Sequence, residues 1–282
     1  MNAGPQQAEL AERLDTSSVA LAFYGGLFVE AGAQGAAVED AEQMSADTLD
    51  LAEAIAREWI DRAASRSGDE AIRRDGKQAL EEVQPLPPGA ETMGAAALVR
   101  RAISAAARIR IFADPGFAVA ERVVWRSLHQ VSLYMTNTNS TREDVQRIIH
   151  DLITDDTKVI IGHSLGSVAA FEACHSLDRP LPLLITLGSP LGLDTVIWPR
   201  IVPSPPAYPS RVQWWVNIAD PDDIIAATPA LSTRFQPSGS GRLTDHEVQN
   251  KFPYHKETDY LEKPEVAYPL AHTLSGTSSS GE

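Results

Sequence analysis

The stretch that most constrains this chain is Lys158-Val159-Ile160-Ile161-Gly162-His163-Ser164-Leu165-Gly166, followed by Ser167-Val168-Ala169-Ala170-Phe171-Glu172-Ala173. Three consecutive β-branched residues run into a Gly-x-Ser-x-Gly turn, and an alanine-rich helical pattern begins at once. A strand, a very tight turn and a helix follow from that order, with Ser164 at the apex. Gly162 and Gly166 suit the turn because its backbone segments approach too closely for side chains. The Leu165 amide then sits at a helix N-terminus, where it can hold a developing oxyanion. A bare Gly-x-Ser-x-Gly match also describes ordinary glycine-rich turns, so its strand-and-helix context carries the reading.

Around this stretch, buried-type strands are predicted at Leu183 to Leu187, ending in Gly188-Ser189-Pro190, and at Arg211 to Ile218, running into Ala219-Asp220-Pro221-Asp222-Asp223. Strands alternating with helices imply a mainly parallel sheet covered on both faces, with chemistry beyond the strand C-terminal ends. A further short strand is expected at Ser18 to Tyr24, ended by Gly25-Gly26. Helices are expected over Ala8 to Leu14, Ala41 to Arg66, Asp69 to Val83, Glu91 to Ile111, Phe117 to Met135 and Pro264 to Leu274. One more, Thr141 to Ile153, is read as opening on a capping box of Ser140 and Glu143. Pro85, Pro87 and Pro88 break the first half, the proline-rich run 198–209 reads as a surface loop, and residues 229–247 read as loop-like. The whole reads as one α/β domain over 1–282, with flexible ends at 1–17 and 275–282 and a helical insertion or cap over 38–112.

A serine needs a base, and the base needs an orienting acid; on a sheet of this type the chain order is serine, acid, histidine. The acid is expected in the aspartate cluster. Asp223 is favoured because it directly precedes the apolar pair Ile224-Ile225, with Asp220 nearer the strand end and Asp222 read as solvated. Aspartates beside proline also suit a plain polar turn. Of the seven histidines, His129 and His150 fall in helical patterns before the serine, His163 points away from its neighbour, and His175 lies on the helix that follows. His246, His255 and His272 remain downstream. His255 is favoured because it lies in a loop, whereas His272 falls inside the last helix and His246 in an acidic loop.

Cys174, the sole cysteine, reads as a small buried apolar residue and leaves no intramolecular disulfide. No spacing suggests zinc or a calcium loop, and no cofactor motif is present. Trp198, Trp214 and Trp215 read as packing residues, with one a candidate for lining an acyl pocket. With 38 acidic against 24 basic residues and a net charge of -14, the chain is a poor partner for nucleic acid or an anionic membrane surface. No apolar run approaches the roughly 20 residues of a membrane span, and Met1 to Arg13 has no signal-peptide core, so a soluble cytoplasmic protein is expected.

Four stretches resemble the α/β-hydrolase superfamily, specifically its bacterial lipase/esterase-like serine hydrolases: Gly162 to Ala170, Ile185 to Leu193, Val216 to Ala226 and His255 to Leu261. The resemblance spans roughly residues 115–272 and implies Ser164 as nucleophile, Asp223 as acid and His255 as base. It implies a carboxylic or lipid ester as substrate and hydrolysis through an acyl-enzyme, or acyl transfer or thioester cleavage with the same triad. A non-catalytic binding protein on this scaffold is the alternative class. One departure stands out: such enzymes begin with a strand ending in His-Gly, whose loop gives the second oxyanion amide, and this chain has no His-Gly dipeptide. Either that strand is missing from the N-terminus, the reading favoured here, or Tyr24-Gly25-Gly26 takes its place.

Overall fold

The computed structural model describes residues 18–28, 44–84, 94–113, 117–226, 230–237 and 239–275. The expected helix at Ala8 to Leu14 and the ends 1–17 and 276–282 lie outside them. Among the described residues the chain forms a four-stranded, wholly parallel sheet in the order β1 (Val159–His163), β2 (Leu181–Leu187), β3 (Val212–Ala219) and β4 (Arg242–Glu247). The central strands are apolar on both sides, as a parallel sheet covered on two faces requires. Leu184 and Trp215 face one core, and Leu183, Ile185, Trp214 and Val216 face the other.

In chain order the α-helices among the described residues are α1 (Ala46–Ser65), α2 (Glu70–Glu82), α3 (Ala95–Ala106), α4 (Arg110–Ala113), α5 (Phe117–Thr136), α6 (Thr141–Leu152), α7 (Leu165–His175), α8 (Glu257–Leu261) and α9 (Pro264–Ser275). α1 packs on α2, α3 and α5, and that assembly joins the sheet face covered by α7. Its buried residues Leu51, Ile55 and Trp59 recur at helical spacing on one side of α1, which is why a 20-residue helix sits there. Tyr260 of α8 and Val266 of α9 close the opposite face.

Four sequence expectations are corrected. Ser18 to Tyr24 is not a strand: it pairs with no described strand, and Val19, Leu21 and Phe23 are left exposed. Its β-type composition lacks the ladder partner that would make it one. Residues 229–247 are not all loop, because Arg242–Glu247 forms β4 beside β3. An edge strand needs no apolar run, so its polar sequence concealed it. The expected capping box is absent: Ser140 has φ 60° and makes no side-chain cap bond. Asn137 replaces it, its Oδ1 accepting from the Arg142 amide at 3.0 Å and its Nδ2 donating to Glu143 Oε1 at 2.8 Å. The helix expected over Glu91 to Ile111 is two, α3 and α4, separated by a turn. None of the helices described is long and apolar enough to cross a membrane.

Candidate active site

β1 ends at His163, and α7 begins one residue after Ser164. Ser164 takes φ 51° and ψ −127°, a left-handed backbone region that L-residues with a side chain rarely enter. Of the two glycines of the turn, Gly162 meets the steric demand expected of it, whereas a Cβ on Gly166 would approach only the Tyr24 hydroxyl, at 3.1 Å, and no backbone. A Cβ on Gly162 would fall on the carbonyl of Gly166 and come within 2.7 Å of Ser167 Cα. The Ser167 hydroxyl braces the turn, 2.6 Å from the Ser164 carbonyl oxygen and 2.7 Å from the Ser189 hydroxyl at the end of β2.

Asp223 and His255, the residues favoured from the sequence as acid and base, lie in contact. His255 Nδ1 lies 2.6 Å from Asp223 Oδ2, and Asp223 is fully buried. Its other oxygen, Oδ1, accepts from the Ile225 and Ala226 amides at 3.0 and 3.1 Å. Tyr260 completes the carboxylate's shell, its hydroxyl donating to Oδ2 at 2.8 Å while accepting from the Asp220 amide at 3.0 Å. With Nδ1 engaged, Nε2 is the nitrogen of His255 left for other work.

Asp220 is occupied elsewhere. It accepts from the Asp222 amide at 2.8 Å and from the Asn250 amide, tying the loop after β3 to the segment that leads to His255. Asp222 is not a free solvated group: its Oδ1 accepts from the Gly68 amide at 2.5 Å and from the Ser67 hydroxyl at 3.2 Å. The same α1–α2 corner reaches the loop that carries His255, since Asp69 accepts from the Tyr254 hydroxyl at 3.1 Å. Arg62, buried on α1, donates to the Ile224 carbonyl at 3.0 Å and to the Ala226 carbonyl. One corner of the helical layer therefore holds both the loop of Asp223 and the loop of His255.

Sequence reasoning missed three contributors. Gly188 was visible only as the end of a strand; it has φ +52°, and a Cβ there would lie 3.0 Å from the Tyr260 ring and 3.1 Å from Asp223 Oδ2. Tyr260 and Arg62 lie 37 and 161 residues from Asp223, with no local pattern to link them. The remaining histidines are dispersed. His272 packs edge-on against Trp214, His246 is on β4, and His150 bonds Ser176. His163 does belong to the site: its ring lies 4.7 Å from that of His255 and bonds the His255 backbone. Burial lowers its pKa to about 3, so it is a neutral imidazole whose Nε2 is buried without a partner.

A cavity of about 240 Å³ opens over Ser164, His163 and His255. Ile55 and Trp59 of α1, Val131 of α5, and Leu193, Ile197 and Ile225 make its walls apolar. The other apolar candidates, Trp214 and Trp215, pack in the sheet cores, as does Cys174 of α7, where burial pushes its thiol pKa up. Beside the elbow, the Tyr24 hydroxyl is 3.1 Å from where a Gly166 side chain would begin, and burial raises its pKa to about 12. Tyr24 is thus a neutral phenol close to the Leu165 helix start. Among the described residues, no group of His, Cys, Asp and Glu side chains could hold a metal ion. Comparison with protein-family models, with curated proteins and with solved structures finds no match for this chain.

Proposed function

We propose that this chain is a serine hydrolase of the α/β-hydrolase type, cleaving carboxylic esters through an acyl-enzyme. The observation that carries the reading is the buried Asp223–His255 pair at 2.6 Å opening into the cavity that also holds the elbow serine. His255 Nε2 takes the proton of Ser164 Oγ as that oxygen attacks the ester carbonyl carbon. The negative charge then collects on the former carbonyl oxygen, which the Leu165 amide at the start of α7 stabilises. The tetrahedral intermediate collapses, the C–O bond to the alcohol breaks, and His255 returns its proton to the departing alkoxide. Water repeats the cycle on the acyl-serine, releasing the acid. Throughout, Asp223 keeps the proton of His255 on Nδ1.

The apolar walls support an acyl group as the part of the substrate that the cavity receives, because such pockets bind chiefly by apolar burial with a few placed polar groups. The test is labelling of the purified chain with a fluorophosphonate, beside Ser164→Ala. Labelling of the parent and none of the variant is expected; a folded parent that does not label refutes the proposal and leaves a binding protein on a hydrolase-like scaffold, the reading that the missing His-Gly favours.

A further inference from the structure

The residue before His255 is held in an unusual conformation. Tyr254 has φ 69°, a left-handed backbone that bulky L-residues rarely adopt, and the His255 amide donates across it to the Pro253 carbonyl at 2.9 Å. A three-residue turn of that form is strained, and such backbone persists only where its surroundings hold it. Two anchors come from the same loop: the Tyr254 amide donates to the Lys251 carbonyl at 2.7 Å, and its carbonyl accepts from Asn250 Nδ2 at 2.8 Å. The third comes from 185 residues away, where Asp69 Oδ2 accepts from the Tyr254 hydroxyl at 3.1 Å.

Asp69 divides its carboxylate between two tasks. Its Oδ1 caps α2, accepting from the Ala71 and Ile72 amides at 2.8 and 3.2 Å, which leaves Oδ2 for Tyr254. Its own amide donates to the Ser67 hydroxyl at 3.1 Å, and the Gly68 amide beside it donates to Asp222. The position of Tyr254 is thereby tied to the loop that carries Asp223. Burial, with the Asp69 bond added, raises the Tyr254 pKa to about 12, so the phenol keeps its proton at neutral pH. Neither Asp69 nor Tyr254 lines the cavity.

We propose that Tyr254 and Asp69 are positioning residues for the base, their hydrogen bond fixing the strained turn that presents His255 to Asp223 and Ser164. This rests on the hydrolase reading and adds the α1–α2 corner to it. A turn released at Tyr254 moves the adjoining imidazole away from Asp223 Oδ2, which lies 2.6 Å from Nδ1. A misplacement of about 1 Å can cost about 100-fold in rate. With the Lys251 and Asn250 bonds still in place, loss of the Asp69 bond is expected to cost about tenfold.

The experiment measures kcat and KM for a p-nitrophenyl ester well below the Tm of each variant, with the rate of fluorophosphonate labelling alongside. Tyr254→Phe removes the hydroxyl and keeps the ring packed edge-on against Phe252. It is expected to lower kcat and the labelling rate about tenfold, about 1.4 kcal/mol of barrier, with KM changed less than about twofold. Asp69→Ser keeps a capping oxygen for α2 but has none left for Tyr254, and the same loss is expected. Asp69→Asn is the rescue: its oxygen caps α2 while its NH2 donates to the Tyr254 hydroxyl, and most of the lost kcat is expected to return. Tyr254→Phe combined with Asp69→Ser is expected to lose no more than either change alone, because both delete one bond.

A merely structural role would lower Tm and leave the kcat of the folded variants at the parent value, and that result overturns the proposal. So does a loss confined to KM, or a double variant whose loss is the product of the two single losses. Should Tyr254→Phe fail to fold by circular dichroism, Asp69→Ser against Asp69→Asn decides, and equal kcat in those two overturns the proposal. Absence of Ser164-dependent labelling in the parent brings down the hydrolase reading and this proposal together. A labelled parent whose rate is matched by Tyr254→Phe brings down this proposal only.

Discussion

Asp223→Asn and Asp220→Asn are nearly the same change three residues apart, and the structure separates their consequences. Asp223 accepts four hydrogen bonds: two from backbone amides on Oδ1, and those of His255 Nδ1 and the Tyr260 hydroxyl on Oδ2. An asparagine has one acceptor oxygen. If it serves the Ile225 and Ala226 amides, its NH2 faces His255, which must then carry its proton on Nε2 and cannot take one from Ser164. The equivalent change in a serine-protease triad lowers kcat about 10,000-fold, roughly 5.5 kcal/mol of barrier. Asp223→Asn is expected to lose a similar factor. In Asp220→Asn the NH2 meets either the Asp222 or the Asn250 amide, a donor facing a donor, at a cost of about 1–3 kcal/mol. Burial already holds the Asp220 carboxyl above the usual carboxylate range, and removing its charge recovers part of that cost. A Tm lower by about 2–10 °C with kcat within a fewfold of the parent is expected. Steady-state hydrolysis of a p-nitrophenyl ester and a thermal melt on each variant decide it. If Asp220→Asn loses more turnover than Asp223→Asn, the assignment of the acid is wrong.

Gly188→Ala places a methyl against the Tyr260 ring and Asp223 Oδ2 in a backbone region that disfavours side chains. A stability loss of at least about 1–2 kcal/mol with a fall in kcat larger than any rise in KM is expected, and unchanged kinetics would show that this close packing does not position the triad. His163 has its pKa lowered by burial from 6.5 to about 3, so the folded state binds fewer protons than the unfolded one between those values. Its contribution to stability is therefore complete above pH 6.5 and lost as pH falls towards 3, by roughly 5 kcal/mol over the full shift. His163→Asn is expected to flatten the fall of Tm between pH 6.5 and 4, and a parallel profile in the variant would refute that account.

What the sequence determined by itself was local and close-range. The elbow was legible because its two glycines and the flanking strand and helix lie within about 15 residues, and steric conflict across a tight turn depends on nothing farther away. The order of serine, acid and histidine left Asp220, Asp222 and Asp223 and three downstream histidines as candidates; Asp223 was favoured because apolar Ile224-Ile225 follows it, and His255 because it lies in a loop. The polar edge strand β4 was invisible because its pairing partner, not its composition, makes it a strand. Ser18 to Tyr24 failed the opposite way, with strand composition and no partner. Only the tertiary structure decided which aspartate pairs with the histidine and what the others do. Asp222 looked like a solvated turn residue until the α1–α2 corner, some 150 residues earlier in the chain, brought Ser67 and Gly68 to it. The same packing made the cavity roof from Ile55 and Trp59, whose helical spacing could announce a buried face but not what that face would enclose. Short-range sterics are written in neighbouring residues; the shape of a binding cavity arises from surfaces that meet only after the chain has folded.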